Sequence, residues 1–110
     1  MLQQDLLVTV TDESFATAVL ASPTPIVVDV WAEWCPPCHA ISRSLAELAE
    51  ELDGKMVVAT LDADENPATC RVYQVRSLPT LLIFRGGELV SATVGARPKS
   101  ALRTLLTEHL

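Results

Sequence analysis

Ile26-Val27-Val28-Asp29-Val30-Trp31-Ala32 is an almost unbroken apolar run, seven residues long and rich in β-branched side chains. A run of that kind reads as a central strand covered on both faces rather than one with a wet side. A strand covered twice needs a packed layer on each side. Directly after it comes Trp34-Cys35-Pro36-Pro37-Cys38, and then Ile41, Leu45, Leu48 and Leu52, which fall on one helical face. The result is a strand, a short loop and a helix, with a pair of cysteines at the joint.

That joint carries chemistry. A disulfide needs Cα atoms roughly 4.4–6.8 Å apart, and the first turn of a helix brings position i that close to i+3. Cys35 then lies at the helix N-terminus, where free N–H groups and the helix dipole favour a thiolate, the attacking species in thiol–disulfide exchange. Cys35 is therefore expected to be the exposed nucleophile, and Cys38, one turn in and more sheltered, the resolving thiol. Pro36 and Pro37 suit a first turn, which needs no intrahelical donors. They stiffen the turn and also remove two N–H groups that would have stabilised the thiolate. Half a zinc site or a structural disulfide would use the same spacing. A structural zinc site wants four ligands, and only His39, Cys70 and His109 remain as soft donors, in no familiar pairing.

Asp29 is the anomaly inside the apolar strand. A buried carboxylate is costly unless paired, and desolvation raises its pKa. It is either a backbone-bonded or solvent-facing residue, or a proton-transfer group beneath the dithiol.

The chain has 110 residues, enough for one core and one domain, 1–110. A net charge of -6 argues against a nucleic-acid partner. Met1-Leu2-Gln3-Gln4-Asp5 has no leader character, and no apolar run approaches the roughly 18 residues of a membrane span. The expected compartment is the cytoplasm, where lasting structural disulfides are rare; a periplasmic protein stripped of its leader would read the same way.

The remaining elements follow from punctuation. Leu6–Val10 reads as a short strand. Thr11 or Asp12 should cap a helix with Phe15, Ala18 and Val19 on its apolar face, ended by Ser22-Pro23-Thr24-Pro25. Asp53-Gly54 stops the dithiol helix, whose Glu47, Glu50 and Glu51 face solvent. Met56–Leu61 is a third strand. Asp62-Ala63-Asp64-Glu65-Asn66 is a solvated turn lacking the calcium-loop spacing, and Pro67–Tyr73 a short helix. Its Cys70 is a small packing residue or, alternatively, a regulatory thiol. Pro79 precedes the apolar strand Leu81–Phe84, Gly86-Gly87 makes a two-residue hairpin turn, and Leu89–Val94 is an edge strand. A last helix carries Ala101, Leu102, Leu105 and Leu106 on one face.

In this order, β-α-β-α-β-α-β-β-α, the sequence resembles the thioredoxin family. The resemblance rests on Val28 to Cys38, on Leu61-Asp62-Ala63-Asp64-Glu65-Asn66-Pro67, on Leu78-Pro79-Thr80-Leu81-Leu82-Ile83-Phe84 and on Val94-Gly95-Ala96, in register along the chain. It implies the thioredoxin fold, a central mixed sheet flanked by helices. It implies a redox-active Cys35–Cys38 disulfide, with Cys35 attacking and Cys38 resolving. Asp29 matches the family's buried proton-transfer carboxylate, and Pro79 the cis-proline facing the disulfide. Trp34, Pro36, Pro37, Leu78, Gly95 and Ala96 match the flat substrate-binding rim, and Trp31 the tryptophan packed behind it. The implied activity is protein-disulfide reduction serving redox homeostasis, without metal or cofactor, by a monomer. Thioredoxin reductase, a flavin- and NADPH-dependent enzyme, would be the electron donor and protein disulfides the substrates.

Three positions depart from the family pattern. Pro36 stands where glycine is usual. His39 stands where lysine is common, and is read as an exposed bystander, the alternative being a group that titrates near neutrality and alters the local field. Thr60 stands where a lysine often accompanies the buried aspartate, so Asp29 should lack a charge partner. Competing readings keep the fold but change its use: a more oxidising oxidoreductase, or a binding or chaperone module without turnover.

Overall fold

The computed structural model describes residues 6–110; Met1–Asp5, read above for leader character, lie outside the described residues. Five strands form one mixed sheet in the order β1-β3-β2-β4-β5: β1 Leu7–Thr9, β2 Ile26–Trp31, β3 Val57–Asp62, β4 Thr80–Arg85 and β5 Glu88–Val94. β3 runs parallel to β1 and β2, while β4 is antiparallel to β2 and β5. The apolar run is indeed the central strand, and Ile26 to Val30 are all buried.

Alternation along β2 sends its side chains into two layers. Val27 joins Ile41, Leu45, Leu48 and Ala49 of α1 (Pro36–Glu51) and Leu102 and Leu106 of α3 (Lys99–Thr107). Ile26, Val28 and Val30 face the other way, against Phe15, Val19, Leu82 and Phe84, with Cys70 and Tyr73 of α2 (Pro67–Val72) packed alongside. Each fully buried Leu or Ile contributes about 1.5–3 kcal/mol, so both faces are strongly specified. Asp29, two residues from Val27, shares the α1 face.

Several local expectations are corrected. The first helix shrinks to a single wide helical turn, Ala16–Leu20. Thr11 does not cap it: Ser14 N–H donates to Thr11 Oγ1 at 3.1 Å and Thr11 N–H to Ser14 Oγ at 2.9 Å in the turn before it, and its N-cap, Phe15, has no side-chain cap bond. Asp12 serves a different helix. Its carboxylate accepts from Ala68 N–H, Thr69 N–H and Thr69 Oγ1 at 3.1, 2.8 and 2.6 Å, capping α2 across the fold. These bonds, the Thr69 hydroxyl foremost, hold its pKa below the ordinary carboxylate value. Of the acidic residues on α1, Glu47 and Glu51 are not merely solvated. Lys99 bridges both at 2.8 and 3.2 Å, and Arg103 grips Glu51 with two nitrogens at 2.9 and 3.0 Å. Ala101 is exposed and only Leu102, Leu105 and Leu106 face α1 and the sheet. Four apolar positions were too wide a stripe for a helix that touches the sheet along one edge.

The hairpin turn is as read. Gly86 and Gly87 have φ of 58° and 83°, the pair of positive angles that a two-residue turn between twisted strands demands. No described helix is long and apolar enough to cross a membrane.

Candidate active site

β2 ends at Trp31, and α1 begins at Pro36 with Cys35 as its N-cap in an extended conformation. The prolines fill the first two helical positions, so the first backbone donor is Cys38 N–H. It points at Cys35 Sγ at 3.2 Å and at Cys35 O at 3.1 Å. Cys35 and Cys38 are joined as a disulfide with Cα atoms 5.3 Å apart, the approach that the helical turn was expected to supply.

Cys35 is not an exposed thiol here. It is 3% exposed and Cys38 1%, because each sulfur covers the other and the pair sits against Ala32, Trp31 and Leu78. The difference in shelter expected from sequence is therefore small in the disulfide form. Trp34, by contrast, stands out at 66% exposure, anchored by its indole N–H donating to Asp64 Oδ2 at 2.8 Å. Pro36, Pro37 and Ala96 are exposed, Leu78 is half-buried and Pro79 is buried. The Leu78–Pro79 peptide bond is cis. Gly95 N–H donates to Pro79 O at 2.9 Å, which draws the end of β5 toward the start of β4. Tertiary folding thus gathers Trp31, Trp34, Leu78, Pro79, Gly95 and Ala96, distant in sequence, at the dithiol end of the sheet.

Behind the disulfide lies a cleft of about 290 Å³ lined by Asp29, Trp31, Cys38, His39 and Thr60 among others. Asp29 is 2% exposed. Its Oδ1 is the one buried side-chain oxygen or nitrogen without a hydrogen-bond partner among the described residues. Thr60 is its register neighbour on β3, as the missing lysine would have been. With no cation to favour the charged form, burial alone pushes the Asp29 carboxyl up to about 7.

Sequence reasoning missed the contacts of Asp64 and His39 and part of the cleft lining. Asp64, assigned to a solvated turn, holds Trp34. His39, assigned as a bystander, is exposed, but its Nε2 lies 2.8 Å from Glu33 O and its ring meets Trp31 edge-on at 6.0 Å. Ser42, Thr9 and Leu7 help line the Asp29 cleft. Only Ser42 carried a signal, being one helical turn beyond Cys38. Cys70 is half-buried in the α2-side core, where burial and then the charges of Asp12 and Asp64 push its thiol upward, in keeping with a packing residue. Among the described residues no group of three or more His, Cys, Asp or Glu is arranged to hold a metal.

A disulfide at a strand-to-helix joint of a mixed sheet, above a buried carboxyl and beside an exposed indole, defines a thiol–disulfide oxidoreductase that works by dithiol exchange. The family model described as Thioredoxin matches residues 6–108. The chain is 45% identical over 101 residues to Thioredoxin 1 of Nostoc sp., covering 92% of this chain and 94% of that one. It is 45% identical over 106 residues to Thioredoxin of Mycobacterium tuberculosis, covering 96% and 91%. To Thioredoxin of Streptomyces clavuligerus it is 47% identical over 97 residues, covering 88% and 90%. The chain belongs to the thioredoxin family.

Proposed function

We propose that this chain is a general protein-disulfide reductase, a single domain acting as a monomeric electron carrier in the cytoplasm, with Cys35 attacking and Cys38 resolving. The observation that carries the assignment of roles is the N-cap position of Cys35, whose sulfur receives the Cys38 N–H and the field of α1.

The reaction balances on the two sulfurs. The Cys35 thiolate attacks one sulfur of a substrate disulfide; the substrate S–S bond breaks, a mixed disulfide forms and the other substrate sulfur leaves as a thiolate. Cys38 then loses its proton and attacks Cys35 Sγ, releasing the second substrate thiolate and restoring the Cys35–Cys38 disulfide. Two electrons pass to the substrate, whose thiolates take up protons. Asp29 is the group to accept the Cys38 proton: it lines the same cleft, and a carboxyl with a pKa near neutrality exchanges protons readily at physiological pH. Trp34, Pro36, Pro37, Leu78, Pro79, Gly95 and Ala96 form the docking rim, with Trp31 as its support. Thioredoxin reductase, drawing on NADPH, returns the dithiol to its reduced state.

The test is NADPH oxidation coupled through thioredoxin reductase to insulin reduction. The wild type is expected to turn over, Cys35→Ser to be inert, and Cys38→Ser to accumulate a mixed disulfide through Cys35. Trapping through Cys38 in Cys35→Ser would reverse the roles. A wild type inert with dithiothreitol as well would remove the reductase assignment and favour a binding module.

A further inference from the structure

The segment between β2 and α1 carries both Cys35 and the exposed Trp34, yet little packs it down. Ala32 is buried, whereas Glu33 and Trp34 project into solvent. Backbone bonds hold only its edges: Ala63 N–H to Trp31 O at 2.8 Å and Cys35 N–H to Ala32 O at 3.2 Å. Between them, the carbonyl immediately before Trp34 is gripped by a side chain from the next element, His39 Nε2 at 2.8 Å from Glu33 O. A carbonyl oxygen only accepts, so Nε2 carries the proton in this bond. The same ring also meets Trp31 edge-on, with centroids 6.0 Å apart.

We propose that His39 is a positioning residue for docking: by donating to Glu33 O it orients the Glu33–Trp34 peptide and so pre-sets the indole that meets protein substrates. This rests on the docking role given above to Trp34. The indole is then held at two points, through its backbone by His39 and through its ring nitrogen by Asp64. Freeing one leaves an exposed aromatic side chain that must be ordered on each encounter, a cost paid in binding and not in thiol chemistry. Losing one net hydrogen bond corresponds to about a two- to ten-fold change.

The experiment follows single-turnover oxidation of protein pre-reduced with dithiothreitol and freed of it. Insulin serves as a docking substrate and hydroxyethyl disulfide as one too small to use the rim. Variants are His39→Ala, His39→Gln, which keeps an N–H near the Nε2 position, and Trp34→Ala as the reference for docking. His39→Ala should slow the insulin reaction by about two- to ten-fold and leave the small disulfide within a factor of about two. His39→Gln should restore the insulin rate, and nitrogen-15 spectra of the wild-type imidazole should show the Nε2–H tautomer. An unchanged insulin rate in His39→Ala while Trp34→Ala is slow overturns the clamp and leaves the docking rim standing. Equal slowing on both disulfides, failure of Gln to rescue, or an Nδ1–H tautomer also overturns it. Unchanged rates in both His39→Ala and Trp34→Ala overturn the docking role itself and the inference with it.

Discussion

Replacing Asp29 by asparagine should make the oxidised protein gain stability relative to the wild type as the pH rises, by an amount the structure sets. In the fold the carboxyl titrates at about 7, against an ordinary 3.8. Because the folded state holds this proton more tightly, it binds more protons than the unfolded chain between those values, and stability falls as pH rises through that window. The stabilisation is fully present below 3.8 and lost by the time the pH passes 7. The displacement corresponds to about 4 kcal/mol. Asparagine has the same shape and no charge, so its offset from wild type contains a constant part, from its own amide hydrogen bonds, and no titrating part. Urea unfolding of both oxidised proteins between pH 3.5 and 8.5 measures the difference, and subtraction cancels the other titrating groups they share. The advantage of Asp29→Asn should grow by about 4 kcal/mol across the range. Thr60→Lys is the companion variant: an ammonium beside the carboxylate should lower the Asp29 midpoint by about one to three pH units and flatten the wild-type curve. A stability difference between Asp29→Asn and wild type that stays flat within about 1 kcal/mol, where one pKa unit is worth that much, would refute the reasoning. Asp29 would then have a partner or solvent access that the geometry does not provide.

Three further outcomes follow from a side-chain cap and from the hairpin glycines. Asp12→Ala removes all three bonds that cap α2, and should cost about 1–2 kcal/mol in denaturant unfolding with faster amide exchange at Ala68 and Thr69. Gly87→Ala should destabilise by about 1–3 kcal/mol, since a Cβ there would stand 2.9 Å from Leu20 O at a φ of 83°; Gly86→Asn, with nothing within 4 Å, should be nearly neutral by urea midpoint.

Cys35 and Asp12 stand at opposite ends of what residue order specifies. Cys35, Pro36, Pro37 and Cys38 are neighbours, and the geometry that joins the sulfurs is the pitch of one helical turn. Local rules therefore sufficed for the disulfide, for the prolines at the helix start and for the glycine pair of the hairpin. The continuous apolar run of β2 was enough to demand two covering layers, because burial of β-branched side chains on both faces is a property of composition and period. The raised pKa of Asp29 was expected from a carboxylate in an apolar strand, with the threonine opposite it supplied by the family resemblance and not by the residues alone.

The contacts of Asp12, Asp64 and His39 were not legible. Asp12 reads as a cap for its own helix and Asp64 as part of a solvated turn, yet each meets a partner brought in by the fold, Thr69 and Trp34; His39 reads as an exposed bystander and turns back to Glu33 across the loop between β2 and α1. A hydrogen bond has no period along the sequence, so nothing in the order of residues announces it. The shelter of Cys35 is of the same kind, since it depends on Leu78 arriving from the loop before β4 and on the second sulfur covering the first. Residue order and composition specify a cysteine pair at a helix start and a strand covered on both faces, because both are local or periodic properties. How the reactive loop is held depends on directional contacts, Asp64 to Trp34 and His39 to Glu33, that no period along the chain encodes.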